Sequence, residues 1–256
     1  MSDFYAVLAP YYHLLFDDWD AGMRRQGRQL ASVIRAEWPG HESILDVSCG
    51  IGTQSIALSA EGFQVAGSDL SSQQIERARR EASARRRLID FKVCDMRHAA
   101  KVHGSGWDLV LSCDNSIPHL LSDGEIRTAL REMFTCLRPG GGCVLTVRDY
   151  AKESRGRNIL KPYPVRMVDG VRYSIFQVWD FTSEDHYDLT LYIVEDRVDR
   201  GTVQVVAGRS RYYAVGTDRL LNILEEVGFE NAKRLDDVFY QPVLVATRPD
   251  SASGAA

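Results

Sequence analysis

The sequence ILDVSCGIGT, residues 44–53, determines the fold class of this chain. Its first four residues are mostly apolar and suit a buried strand, and Gly50 and Gly52 then break the strand with a tight turn. Apolar residues at helical spacing follow, including Ile56 and Ala60. A strand, a glycine turn and a helix in this order allow backbone N–H groups to approach a ligand closely. The stretch therefore predicts a ligand-binding strand–turn–helix unit; the alternative is a structural turn without a ligand.

The residues around this unit indicate which ligand fits it. A second apolar strand, residues 63–67, leads to Asp69, and an acid at that point can accept both hydroxyls of a ribose. The dinucleotide fingerprint requires a third glycine, but Ser55 stands there, which disfavours a pyrophosphate. Asp46 adds negative charge near the ligand and suits a cationic ammonium or sulfonium group, directly or by holding the loop.

The composition excludes several classes of function. The 256 residues carry a formal net charge of −4 at pH 7, whereas proteins that grip nucleic acid usually present a basic face. The five cysteines form no CxxC pair and show no metal-ligand spacing, so we expect reduced thiols in the cytoplasm and no metal. No signal peptide and no apolar run near ~20 residues is visible, so we expect no membrane insertion.

Strands and helices alternate over the first part of the chain. This pattern predicts an α/β fold with a doubly wound, mainly parallel, Rossmann-like sheet. Strands are expected at 43–48, 63–68, 89–94, 107–112 and 143–148, and helices at 21–38, 53–61, 72–86, 122–137 and 217–227, the last capped by Thr217.

The apolar period changes to strict alternation between residues 151 and 215, which predicts antiparallel strands. Their place after the fifth strand suggests a cap over the substrate. We therefore expect a single domain, 1–256, in which an N-terminal helical lid (1–40) precedes a Rossmann-like core (41–150 and 216–248). The core is interrupted by the antiparallel β cap insertion (151–215) and followed by a disordered tail (249–256).

Four polar side chains lie at or just after the ends of the fourth and fifth predicted strands. Asn115 and His119 come after the fourth, Arg148 is the last residue of the fifth, and Tyr150 follows it. Carboxyl ends of neighbouring parallel strands lie at one edge of a sheet, where ligands bind. Arginine is a natural fork for a carboxylate, and an asparagine amide can orient an amine or a carboxylate. The structural alternatives are a loop salt bridge for Arg148 and a helix cap for His119.

Together these stretches resemble class I S-adenosylmethionine-dependent methyltransferases. Residues 45–52 resemble the first motif of that family, and Asp69 resembles its ribose-binding acid. Cys94-Asp95-Met96 resembles the segment that flanks the adenine, and LRPGGG, residues 137–142, resembles the turn into the fifth strand. These matches occur in the family's order between about residues 40 and 150.

The polar strand ends are similar to a narrower group, the glycine/sarcosine N-methyltransferases. The matching stretches are NSIPHL, residues 115–120, and RDY, residues 148–150. In that group the asparagine and the arginine bind the amino-acid substrate, and the histidine lies near the cofactor. The resemblance therefore implies catalytic roles for Asn115, His119, Arg148 and Tyr150. The sequence departs from the group at Asp114, where the animal enzyme has glycine, and at Asp149, where asparagine is usual.

The resemblance also implies the cofactor, S-adenosylmethionine, with S-adenosylhomocysteine as its product. The implied cofactor-binding residues are Tyr12, Arg25, Asp46, Gly50, Gly52, Asp69, Leu70, Asp95, Met96, Cys113 and His119. The acceptor is expected to be a small molecule, an amine with a carboxylate, and the chain is a candidate homo-oligomer.

The preferred function is N-methylation of glycine, sarcosine or a related amino acid. Three alternatives remain open at this point. The first is methylation of another small polar acceptor at an O- or C-nucleophile, as in specialised metabolism. The second is a non-catalytic module that binds the cofactor. The third, a nicotinamide dehydrogenase, is disfavoured by the missing third glycine.

Overall fold

A computed structural model describes residues 2–250 of the chain. Within these residues the strands are β1 (Ser43–Asp46), β2 (Gln64–Asp69), β3 (Asp90–Val93), β4 (Trp107–Ser112), β5 (Leu137–Thr146), β6 (Ile159–Pro162), β7 (Arg166–Val168), β8 (Val171–Phe181), β9 (His186–Arg197), β10 (Thr202–Tyr213), β11 (Glu230–Leu235) and β12 (Val243–Thr247). The α-helices are α1 (Ser2–Leu8), α2 (Trp19–Glu37), α3 (Thr53–Ala60), α4 (Ser72–Ala84), α5 (Ala99–His103), α6 (Asp123–Cys136) and α7 (Thr217–Val227). Short 3-10 helices cover Tyr12–Leu15, Met96–His98, Ile117–His119 and Tyr150–Lys152.

The central sheet has the strand order β3-β2-β1-β4-β5-β12-β11, and β12 runs antiparallel to both of its neighbours. Its central strands are buried on both faces, as Ile44, Leu45 and Val110 show. Burial on both faces explains why these strands are continuous apolar runs rather than alternating ones. The predicted doubly wound, mainly parallel α/β fold is confirmed.

The second sheet is antiparallel throughout, with the order β10-β9-β8-β6 and β7 paired to β8. Its inner face carries Trp179, Tyr187 and Leu191, which form one apolar cluster with Phe4 of α1 and with Tyr150. The insertion therefore packs against the N-terminal helix and against the segment that follows β5. This position brings the second sheet next to the carboxyl edge of the central one.

Three local features refine or correct the sequence predictions. Within the expected N-terminal helical lid (1–40), helix α1 ends before Pro10, and a short 3-10 helix, Tyr12–Leu15, precedes α2. Residues 139–142 belong to β5 rather than to a turn, and Gly142 already pairs with Leu109 of β4 and with Thr247 of β12. Gly142 also lies close to the indole of Trp38, since a Cβ atom there would come within 2.4 Å of the ring. Helix α7 is capped by Gly216 and not by Thr217.

Of the predicted tail, residues 251–256 lie outside the described residues. Among residues 2–250, none of the helices combines the length and the apolar composition needed to span a bilayer.

Candidate active site

The two glycines of the turn between β1 and α3 have different surroundings. Both have positive φ, +54° at Gly50 and +90° at Gly52, a region that glycine enters without strain. A Cβ atom on Gly52 would lie 3.0 Å from Ile56, so this glycine serves the packing of its own helix. A Cβ atom on Gly50 would meet only Gln74, at 3.8 Å. Gly50 therefore offers its backbone to the neighbouring cavity, and Gly52 does not.

Two carboxyl groups flank this turn, that of Asp46, which is buried, and that of Asp69, which is half-buried. Asp69 accepts hydrogen bonds from the backbone N–H of Gly50 at 3.0 Å and of Ser71 at 2.9 Å. Asp46 accepts one from the hydroxyl of Ser55 at 2.7 Å. Burial raises the pKa of Asp69 against the lowering effect of its backbone donors, and burial raises the pKa of Asp46 to about 7. Both groups therefore hold the turn, and Asp69 also faces the cavity.

A cavity of about 910 Å³, partly open to solvent, lies at the carboxyl ends of β1, β2 and β4. We call it the cofactor cavity. Eight residues implied for cofactor binding line it together: Tyr12, Gly50, Asp69, Leu70, Asp95, Met96, Cys113 and His119. Asp95 is paired with Arg97 at 2.6 Å, which lowers the pKa of its carboxyl group, although burial acts in the opposite direction.

Three implied cofactor residues are not brought to this cavity. Arg25 is exposed on α2, and neither Asp46 nor Gly52 lines the wall. Gln26, the residue after Arg25 on α2, is buried and accepts a hydrogen bond at 2.8 Å from Gln54, which does line the cavity. Helix α2 therefore contributes to the cavity through the buried amide of Gln26, which positions Gln54, and not through Arg25.

His119 lines the cofactor cavity and is enclosed by two other elements, α1 and β10. Its Nε2 is 2.5 Å from the hydroxyl of Tyr5, its Nδ1 is 3.2 Å from that of Ser210, and its ring centre is 4.1 Å from that of Tyr212. Burial lowers the pKa of His119 to about 3. A neutral ring with both nitrogens engaged is suited to holding α1 and β10 in place and poorly suited to proton transfer.

A second cavity of about 570 Å³, partly open to solvent, adjoins the first, and we call it the acceptor cavity. Tyr5, Tyr12 and Asp114 line both. Its walls come from α1, from the ends of β4 and β5 and from the inner face of the second sheet. Aromatic side chains form much of the wall: Phe4, Tyr5, Tyr12, Tyr163, Trp179, Tyr187 and Tyr212.

Arg148 lines the acceptor cavity, with its guanidinium carbon 4.7 Å from the ring centre of Trp179. Its Nη1 donates to Glu153 at 3.1 Å, and Glu153 also pairs with Lys161 at 2.7 Å. This group of two cations and one anion keeps a net positive charge. The Nε atom of Arg148 is buried and finds no hydrogen-bond partner among the described residues. A buried donor without a partner costs free energy, so this edge of the guanidinium is suited to receiving a ligand.

Asn115 lines the acceptor cavity, whereas Tyr150 lies behind its wall. The Oδ1 of Asn115 accepts from the backbone N–H of Arg148 at 2.9 Å, and its Nδ2 donates to the hydroxyl of Tyr150 at 2.9 Å. One N–H of Nδ2 remains for a ligand. Tyr150 reaches the cavity only through Asn115 and through Tyr187, whose hydroxyl is 3.1 Å away. Asn115 thus joins the ends of β4 and β5.

Sequence reasoning missed several cavity residues on the insertion. Trp179 donates to Gln177 at 2.8 Å, and Gln177 donates to the hydroxyl of Tyr163 at 2.9 Å. All three line the acceptor cavity. The alternating pattern of β8 signals which residues face one side of a sheet, but nothing in it distinguishes a core face from a cavity wall.

A comparison with protein families matches the part of the chain that supplies most of the cofactor cavity. Residues 44–141 match the family described as "Methyltransferase domain". The glycine/sarcosine N-methyltransferase of Parasynechococcus marenigrum is 32% identical over 145 residues, which cover 56% of this chain and 50% of that protein. The glycine N-methyltransferase of Mus musculus is 34% identical over 122 residues, 43% of this chain and 42% of that protein. The chain spans about half the length of the curated relatives that it matches.

Solved structures resemble the chain over more of its length. The sugar N-methyltransferase KedS8 from Streptoalloteichus has a TM-score of 0.75 at 22% identity and covers 91% of this chain and 89% of its own. CalS10 from Micromonospora echinaspora, an amino pentose methyltransferase solved with bound SAM, has a TM-score of 0.76 at 18% identity and covers 88% and 91%. At these identities the similarity shows the fold.

Proposed function

We propose that this chain, which resembles the glycine/sarcosine N-methyltransferase group of class I S-adenosylmethionine-dependent methyltransferases, methylates the amino group of a small acceptor that carries a carboxylate. Glycine, sarcosine and related amino acids are the preferred acceptors. The relatives that bear the names of such enzymes align with only about half of the chain. The proposal for the acceptor therefore rests on the second cavity.

The cofactor cavity fits S-adenosylmethionine in its donor set. Asp69 offers a carboxylate to the ribose hydroxyls, and Gly50 allows close approach of the backbone. Met96 and Leu120 add apolar surface for a flat ring. Bound there, the cofactor would supply an electrophilic methyl group on a sulfonium.

The acceptor cavity supports a carboxylate-bearing substrate. Glu153 occupies Nη1 of Arg148 but leaves its Nε without a partner among the described residues. The planar edge formed by Nε and Nη2 has the geometry that binds a carboxylate through two parallel hydrogen bonds. This buried donor is the observation that carries the proposal. The spare N–H of Asn115 would direct the second end of the substrate.

The work left to the protein is positioning and exclusion of water. The second sheet and α1 would close the acceptor cavity as a cap, with Phe4 and Trp179 on opposite elements of its wall. An amine attacks in its neutral form, so a bound ammonium group must first lose a proton. Burial and the positive charge of Arg148 would favour this loss, whereas a nearby carboxylate would oppose it. The engaged, neutral ring of His119 is poorly suited to take the proton, which would leave to the solvent at the open side of the cavity.

A screen with labelled S-adenosylmethionine tests the proposal. Glycine, sarcosine, other amino acids and amines without a carboxylate are offered to the purified chain, and transferred label is counted. We expect turnover of amino acids and little turnover of the plain amines. Efficient methylation of an acceptor without a carboxylate would contradict the amino-acid assignment and favour another polar acceptor. Tight binding of S-adenosylhomocysteine without any turnover would instead indicate a non-catalytic module.

A further inference from the structure

We propose that Asp114 binds the amino group of the acceptor and makes the site specific for amines, a step that rests on the proposed function. Asp114 lies two residues after Ser112, the last residue of β4, and it lines both cavities. An amino group held by its carboxylate would therefore lie at the passage between the acceptor cavity and the cofactor cavity. This is where the nitrogen must be to meet the methyl group.

The carboxylate of Asp114 is held in place but not saturated. Its Oδ2 accepts a hydrogen bond from Tyr12, and its Oδ1 accepts one from Tyr240 at 2.5 Å. A carboxylate offers about four lone-pair sites, so about two remain for a ligand. The residue is half-buried, so an ion pair formed there would be less screened than one on an open surface.

The backbone of this segment is fixed as well. Asp114 and Asn115 have φ angles of +57° and +63°, in the left-handed region that Asp and Asn enter more readily than most residues. Thr146 at the end of β5 accepts from both: its hydroxyl from the N–H of Asp114 at 2.8 Å, and its carbonyl from that of Asn115 at 3.0 Å. The backbone that carries the carboxylate is therefore held in place, as a residue that positions a substrate requires.

Charge provides the strongest argument. Among the described residues that line the acceptor cavity, Asp114 and Arg148 are the only ones with ionic side chains. The pKa of Tyr163 is raised mainly by burial. Arg148 lowers this pKa and Asp114 raises it, so both charges act on the hydroxyl of Tyr163. A cavity with one anion, one cation and aromatic walls matches a small molecule with an amino group and a carboxylate.

A purely structural role for Asp114 makes different predictions. In that case the carboxylate would only hold Tyr12 and Tyr240, and its loss would disturb the cofactor cavity that Tyr12 lines. Removing one of these tyrosine hydroxyls would then have a similar effect. An amine-binding role predicts instead that only ligands with an amino group are affected.

The test compares Asp114→Asn with the unmodified chain in the presence of S-adenosylhomocysteine, using calorimetric binding of glycine and of acetate. Asn has nearly the same shape, tolerates positive φ and lacks the charge. We expect glycine binding to weaken at least tenfold, acetate binding to change less than twofold, and affinity for S-adenosylhomocysteine to stay the same. In turnover with glycine or sarcosine, KM should rise more than kcat falls.

Two further variants serve as controls. Asp237→Asn makes the same charge change at an exposed residue with φ of +61° and should alter none of these quantities. Tyr240→Phe removes one hydrogen bond to Asp114 but keeps the carboxylate, and should weaken glycine binding far less. Equal weakening of glycine and acetate, or equal effects of Tyr240→Phe and Asp114→Asn, would overturn the assignment. If the unmodified chain methylates neither glycine nor sarcosine but Asp114→Asn still weakens only glycine binding, the proposed function fails while the amine site stands.

Discussion

Replacing Arg148 by lysine tests the acceptor site most directly. The substitution keeps a positive charge that can still pair with Glu153, but it removes the planar edge whose Nε lacks a partner among the described residues. The change therefore separates charge from geometry. If a substrate carboxylate binds that edge, at least one of its two hydrogen bonds is lost.

The expected magnitude follows from the number of bonds lost. A hydrogen bond to a charged group contributes roughly 1.5–3 kcal/mol. Since 1.4 kcal/mol corresponds to about a tenfold change, kcat/KM for the acceptor should fall roughly 10- to 100-fold. The contact of Arg148 with Trp179, at 4.7 Å, would also change, and a denaturant titration of the variant measures its effect on stability separately.

The assay measures kcat/KM for glycine or sarcosine and the affinity for S-adenosylhomocysteine on the same variant. Cofactor affinity should barely change, because Arg148 does not line the cofactor cavity. Arg248→Lys is the matched control: its guanidinium stacks on Phe134 at the same distance of 4.7 Å, near the opposite edge of the sheet. Unchanged acceptor kinetics, or a loss confined to cofactor affinity, would refute the assignment of Arg148 to the acceptor.

The other predictions concern the cofactor, pH and packing. Asp69→Ala should weaken binding of S-adenosylhomocysteine by at least ~1.5 kcal/mol in calorimetry, and unchanged affinity would contradict its role. Burial raises the pKa of Asp46 to about 7, so its protonation stabilises the fold most below about pH 4, and this contribution is lost as the pH rises through 7. Asp46→Asn should therefore flatten the pH dependence of the free energy of unfolding across that range in denaturant titrations; an unchanged slope argues against it. Gly142→Ala should cost ~1–3 kcal/mol because its Cβ would meet Trp38 at 2.4 Å, whereas Gly124→Ala, whose Cβ would meet only the hydroxyl of Ser122 at 3.8 Å, should be neutral or slightly stabilising.

Much of the cofactor-binding half could be predicted because its signals are local. A run of apolar residues ending in Gly50, and an acid at the end of the next strand, specify a strand, a turn and a charge within about 25 residues of one another. Parallel pairing of β1 with β2 then brings Asp69 to the N–H of Gly50 without any further information. The order of motifs along the chain is thus enough to place them at one sheet edge.

The directions of side chains depend on packing and could not be predicted from local signals. Arg25 and Gln26 are neighbours on α2, but only the amide is turned toward α3, since the helix rotates about 100° per residue and its packing angle decides which face is buried. The apolar residues Val203 and Val205 of β10 alternate as expected of a strand, yet both are exposed. Period alone does not say which face of a sheet meets the core.

The sequence by itself therefore determined the fold class, the strand–turn–helix unit and the acid that serves it. Only the tertiary structure decided the composition of the acceptor cavity. Its walls join α1, the ends of β4 and β5, and strands of the insertion, with Tyr5 and Tyr187 separated by most of the chain. The contact of Arg148 with Trp179, and the presence of Arg148 and Asp114 in the wall of one cavity, depend on how the two sheets pack. Such packing depends on many long-range contacts, and hydrophobic periodicity in the sequence indicates secondary structure but not these contacts.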